Sequence, residues 1–214
     1  VPPPAPPTLE LTEPDDGLVT NRDAVRVSGT ATDERGIESV TVNGRQVPVA
    51  ADGSFAVRVP LDEGENVITV TARNTAGLET TVQRTVVADW TAPVLEDMEP
   101  SADVTLQWGD TLTVRFTAEP GLEATYQIVL DGSSGTWYGA DLPLPGTAMT
   151  ETAPGVYEAV FTAPDGVRFT DAVVRFYARD AAGNVILATA PGRVTVVEPA
   201  GPGTGDGHGP GKPW

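Results

Sequence analysis

The residues with chemical potential in this chain are carboxylates and a few aromatics. Thirty Asp and Glu stand against 13 Lys and Arg, a formal charge of −17. There is no Cys, the one His is His208 and the one Lys is Lys212. Thiol catalysis, disulfides and thiolate metal sites are therefore excluded, and a nucleophile would lack its usual base. Acidic residues gather at Asp15, Asp16, Asp62, Glu63, Glu65 and Asp89, and again at Glu119, Glu123 and Asp180. Clustered carboxylate and carbonyl oxygens suit Ca²⁺, which takes six to eight of them at roughly 2.3–2.6 Å. The candidate calcium ligands are Asp62, Glu63, Asp89, Glu119 and Asp180. The same residues also fit plain solvation of an acidic surface, because the EF-hand spacing is absent. No other cofactor is expected.

A second candidate is the 131–148 loop, which is longer than the connections usual inside a compact domain. Its Trp137 and Tyr138, together with Trp108 beside Gly109-Asp110, offer flat apolar faces with polar edges, suited to stacking on sugar rings. Trp137 or Tyr138 folded back over a sheet edge is the alternative. Neighbouring carboxylates such as Asp33-Glu34 and Asp62-Glu63 point apart on a strand or turn, whereas a glycosidase needs acid and nucleophile facing each other. The chain is read as non-enzymatic. Its negative charge repels nucleic acid and anionic lipid. No run approaches the roughly 18 apolar residues of a membrane span, so no membrane insertion is expected.

The elements that must position these groups are strands. With 23 Gly and 20 Pro, and with Ile only at 37, 68, 128 and 186, the apolar positions fall largely to Val, which favours pleated surfaces over helix faces. Short alternating runs are separated by turn signals every 8 to 12 residues, as in an all-β sandwich. Runs near 8–12, 24–30, 37–43, 45–50, 54–59, 65–73 and 79–88 predict seven strands. Asn43-Gly44 and Asp52-Gly53 mark tight turns that need a positive φ. A second set lies near 94–97, 104–108, 111–118, 123–130, 148–153, 156–162, 172–179 and 185–197. Residues 70–77 (VTARNTAG) and 176–183 (FYARDAAG) match at a constant offset of 106, both reading as the turn between the last two strands of a sandwich. Two homologous domains are expected, at 8–89 and 90–198. Residues 1–7 form a Pro-rich linker and residues 199–214 a Gly/Pro-rich one. These flanks lead to the expectation of neighbouring domains in a longer parent chain, of which Val1 opens a mature or excised piece, and of a monomer, since Pro48 and Pro60 blunt the edges.

The segments Val27-Ser28-Gly29-Thr30-Ala31-Thr32-Asp33, 36–44 (GIESVTVNG), Asp52-Gly53-Ser54-Phe55 and Glu63-Gly64-Glu65-Asn66-Val67-Ile68 resemble the bacterial immunoglobulin-like domains of the glucodextranase B-domain type. Residues 91–197 resemble a related module through Pro120-Gly121-Leu122, 150–157 (TETAPGVY) and Asp180-Ala181-Ala182-Gly183-Asn184. The resemblance implies tandem immunoglobulin-like sandwiches in secreted Gram-positive cell-envelope proteins, such as N-acetylmuramoyl-L-alanine amidases, and it brings no catalytic residues. The expected function is a structural spacer, secreted or on the cell surface, positioning a neighbouring domain such as a wall hydrolase. The alternative is a module that binds carbohydrate or cell-wall polysaccharide through the 131–148 loop.

Overall fold

The computed structural model describes residues 5–130 and 146–199. It divides into two compact units, Val1–Pro93 with Arg179–Val185, and Val94–Ala178 with Ile186–Trp214. Among the described residues every regular element is a strand.

The first unit holds β1 (Thr8–Glu13), β2 (Leu18–Thr20), β3 (Ala24–Thr32), β4 (Ile37–Val42), β5 (Arg45–Val47), β6 (Ser54–Pro60), β7 (Gly64–Asn74) and β8 (Glu79–Ala88). Two sheets result, ordered β1-β3-β6 and β2-β8-β7-β4-β5. Alternation buries every second residue. Val27, Val40, Val70, Ala72 and Val86 are fully buried between the sheets, with Phe55 and Ile68 beside them. Asn43 and Gly44 both take positive φ, 48° and 76°, and close the β4–β5 hairpin as their pairing predicts.

The second unit holds β9 (Glu96–Glu99), β10 (Val104–Gln107), β11 (Thr111–Thr117), β12 (Glu123–Leu130), β13 (Thr147–Ala148), β14 (Thr150–Ala153), β15 (Val156–Thr162), β16 (Phe169–Arg179) and β17 (Val185–Val197). Its sheets run β14-β15-β11-β9 and β10-β17-β16-β12-β13. Aromatics join Val114, Val174 and Val194 at the centre of this core. Phe116 stacks on Tyr157 at 4.9 Å and meets Phe176 edge-on at 5.3 Å.

The plan repeats in detail. In each sandwich the first strand crosses from one sheet to the other at a cis proline, Pro14 between β1 and β2 and Pro100 between β9 and β10. The crossed piece then runs parallel to the last strand: Leu18, Val19 and Thr20 pair with Val86, Val87 and Ala88, and Val104 to Gln107 pair with Val194 to Val197.

The strand pattern differs from expectation at four places, one being that the run expected over 148–153 is two strands, β13 and β14, in different sheets. A three-residue strand, β2, is present where no run was anticipated, so the first sandwich has eight strands rather than seven. The run expected over 45–50 stops at Val47, because Pro48 has no amide to continue the ladder. The first strand of the second unit is Glu96–Glu99, two residues later than the 94–97 expected, and Val94 is left exposed.

Candidate functional site

Three places combine polar groups with defined geometry. The first is the turn after β7. Asn74 has no exposed surface, yet all its side-chain polarity is used. Its Oδ1 accepts from the Ala76 and Leu78 amides, while Nδ2 donates to the carbonyl of Ala5 at 2.9 Å and to Asp33 Oδ2 at 3.0 Å. Thr80 Oγ1 donates to the Pro7 carbonyl, and Pro7 is buried. The turn thus clasps Ala5 and Pro7 by their carbonyls, in a stretch where Pro6 and Pro7 have no amides to offer. Hydrogen bonds from Asn74 and from the Arg35 amide hold the Asp33 carboxyl below its ordinary range.

The repeated turn after β16 solves the same problem with the amide in another position. Asp180 Oδ1 accepts from the Asn184 amide and Oδ2 from Asn184 Nδ2, which also donates to the Asp89 carbonyl at 2.9 Å. Asn74-Leu78 in one copy and Asp180-Asn184 in the other each contain one amide side chain, and in each it holds the carbonyl of an incoming segment.

The second place is the acidic pole of the first unit. Asp62, Glu63, Asp89 and Asp180 lie in this unit, Glu119 in the other. Glu63 Oε1 accepts from Thr91 Oγ1, and Asp89 Oδ1 from the Thr91 amide, so the loop after β6 and the chain after β8 do share one end. Asp62 instead engages Asn66 through its backbone amide and carbonyl, and Glu119 offers its carbonyl to Tyr157 Oη. Among the described residues no three carboxylate or imidazole groups converge as a metal-binding set.

The third is the aromatic end of the second unit. Trp108 Nε1 donates to the Val167 carbonyl at 2.7 Å, and the Arg168 guanidinium lies over the indole, 5.7 Å from the ring centroid. Arg168 pairs in turn with Glu198. One indole face is therefore occupied by a cation. Trp137 and Tyr138 lie outside the described residues.

A shallow groove of about 760 Å³ on the outer face of β3 and β6 was not anticipated. Glu13, Arg26, Ser28, Pro48 and Phe55 are among its lining residues, and Ser28 Oγ donates to Glu13 Oε2. The sequence signal was the break at Pro48 between two otherwise good strand runs.

The paired antiparallel sheets, crossed first strands and parallel terminal pairs define a protein of the immunoglobulin- and fibronectin III-like β-sandwich class. Residues 7–90 match the family model described as glucodextranase, domain B, which agrees with the resemblance carried by 27–33, 36–44 and 52–55. Over 193 residues, 89% of this chain, the sequence is 32% identical to Bacillopeptidase F of Bacillus subtilis (strain 168), and the match spans 13% of that protein's length. Among solved structures, the fibronectin(III)-like modules of Clostridium thermocellum CbhA superpose with a TM-score of 0.53 at 12% identity, over 89% of this chain and 94% of theirs. Titin domains I67–I69 give 0.52 at 14% identity, over 91% and 66%. At these identities the structural likenesses show the fold alone.

Proposed function

We infer that the chain is a non-catalytic, load-bearing spacer within a longer extracellular protein, and that it positions a neighbouring domain. The observation that carries this reading is the parallel pairing of terminal strands in each sandwich, β2 with β8 and β10 with β17. In a parallel pair, the start of one strand and the finish of the other lie at opposite ends. Tension along the chain therefore pulls the two strands past each other and loads their hydrogen bonds together, in shear, rather than opening them one at a time. The clasp of Ala5 and Pro7 by Asn74 and Thr80 supports the same reading, because it ties the semi-rigid polyproline entry to the sandwich it leads into. The kinship with Bacillopeptidase F, which extends far beyond the matched segment, supports the placement of this chain among further domains of a longer protein.

Force spectroscopy tests the reading, and the absence of Cys makes engineered thiol handles site-specific. Pulled from its ends, the chain is expected to show two cooperative unfolding events at forces well above those seen with handles placed to unzip β8 from β7. Thr20→Pro, which removes the amide of the β2 residue whose carbonyl accepts from Asp89 beside β8, is expected to lower the end-to-end force of one event only. Equal forces in the two pulling geometries would reject the load-bearing reading. Retention on cell-wall polysaccharide, lost with Trp137→Ala, would favour the carbohydrate-binding alternative.

A further inference from the structure

The second sandwich contains a strand for which the first has no counterpart. Gly53 and Gly155 occupy the same turn in the two copies. Both take positive φ, at 86° and 74°, and both offer a carbonyl at 2.9 Å to an alanine amide, Ala31 and Ala118 respectively. Counting from these glycines, Phe55 matches Tyr157, Ala56 matches Glu158 and Arg58 matches Val160. In the second sandwich, β14 immediately precedes this turn and pairs antiparallel with β15, setting Thr150 opposite Glu158. In the first, the corresponding stretch begins at Pro48, and β6 is left as the edge of a three-stranded sheet.

The direction of each peptide group on β6 follows from two bonds. The Gly53 carbonyl turns to Ala31 on β3, while the Ser54 carbonyl turns outward to the Ala50 amide. Alternation along an extended strand then directs residues 55, 57 and 59 to β3, and Ala56 and Arg58 to the open edge. Both residues are exposed, and Pro60 ends the strand without an amide. The open edge therefore presents the N–H and C=O of two residues beside the groove lined by Pro48, Val49 and Ala56.

We propose that this edge accepts a short extended peptide from another protein, added antiparallel to β6 opposite Ala56 to Pro60, beyond the place that Ala50 holds beside Ser54, with an acidic residue opposite Arg58. Main-chain bonds to Ala56 and Arg58 supply attachment, as in strand addition generally, and side chains supply choice. The preference for an acid follows from register. Arg58 lies directly opposite Arg26 on β3, so two arginines share one cross-strand position on the outer face. Their carboxylate partners, Asp23 at 3.5 Å and Glu13 at 3.6 Å, are long and solvent-exposed, and such pairs hold little energy. A second copy of this chain is a poorer occupant: pairing β6 with β6 would bring two Arg58 residues together along with two chains of formal charge −17.

The probe is a blocked peptide, acetyl-Thr-Thr-Glu-Met-Thr-amide. It carries Met149 and the first residue of β14, ends opposite Ala56 short of the Ala50–Ser54 bond, and places its Glu opposite Arg58. Titrated into the isotope-labelled full chain, it is expected to shift the Ala56 and Arg58 amide resonances and slow their solvent exchange, leaving β15 unaffected. Replacing that Glu by Lys is expected to weaken binding roughly three- to ten-fold, and Arg58→Glu to reverse the preference. Ala56→Pro, at an edge where proline is tolerated, is expected to abolish binding while the rest of the spectrum is retained. No perturbation at millimolar peptide, shifts centred elsewhere, or unaltered binding by Ala56→Pro would overturn the proposal. Protection of the same amides through dimerisation of the unliganded chain would overturn it in favour of self-association.

Discussion

Asn74 shows how one buried side chain can decide whether a flanking segment belongs to a domain. It satisfies two turn amides, a carboxylate and the Ala5 carbonyl at once. Asn74→Ala deprives these partly exposed groups of the buried side chain they share, and is expected to cost about 1–2 kcal/mol of unfolding free energy in urea titrations. Asn74→Asp is expected to be worse at neutral pH, since its new carboxylate keeps the amide bonds but faces Asp33. Adding Leu78→Asn, which restores the amide that Asn184 provides in the second copy, is expected to recover part of the loss. The pH dependence has a defined sign. The folded Asp33 pKa is lowered from 3.8, chiefly by the Asn74 bond and then by the Arg35 amide. Its stabilising contribution is thus fully present above that value and disappears as pH falls through the lower folded one. The gap between wild type and Asn74→Asp should therefore close on acidification below pH 4, and a gap independent of pH would show that charge at Asp33 is not the cause.

At the level of elements, most of the fold was legible because Val-rich alternation and Gly-containing turns are local signals. Val25-Val27 on β3, Ile68-Val70-Ala72 on β7 and the Asn43-Gly44 hairpin follow from residues within a few positions of each other. The strand that escaped, β2, is three residues long, and it exists because β8 lies alongside it, which no local pattern encodes. The turn at 70–77 and 176–183 was legible as a repeat, but its use as a clasp was not, since Ala5 and Asn74 are 69 residues apart. The acidic pole was partly legible. Glu63 and Asp89 do meet around Thr91, while Asp62 is held by Asn66 through its backbone amide and carbonyl, a contact that says nothing of its carboxylate. The Gly53/Gly155 turns give a test at this scale. A Cβ at Gly155 would lie 2.3 Å from the Ala118 carbonyl oxygen, in addition to the strain of a positive φ. Gly155→Ala is expected to destabilise the second sandwich by about 2 kcal/mol or more, measured by urea unfolding, whereas Ala at Gly109, which meets no atom within 4 Å, should cost only the backbone term of about 1 kcal/mol.

For the whole molecule, charge is the dominant unspent term. The formal charge of −17 is spread over carboxylates that mostly face water, and the cross-strand pairs that offset it, such as Arg73 with Glu38 and Arg115 with Glu158, are themselves half-exposed. Self-repulsion of this kind opposes the compact state and is weakened once the Debye length drops to about 10 Å near 0.1 M salt. The melting temperature is accordingly expected to rise with sodium chloride. Divalent ions then separate screening from ligation. Screening depends on ionic strength and valence alone, so Mg²⁺ and Ca²⁺ should raise the melting temperature equally, and EDTA should lower it no further than the salt-matched blank. A bound calcium would instead stabilise by mass action in proportion to its affinity. Because Asp89 and Asp180 already use their oxygens on Thr91 and Asn184, and no three such groups converge among the described residues, equal effects of the two cations are the expected result. A rise specific to Ca²⁺, lost on replacing Glu63 or Asp89 by the amide, would show that these oxygens leave their hydrogen bonds to coordinate a metal.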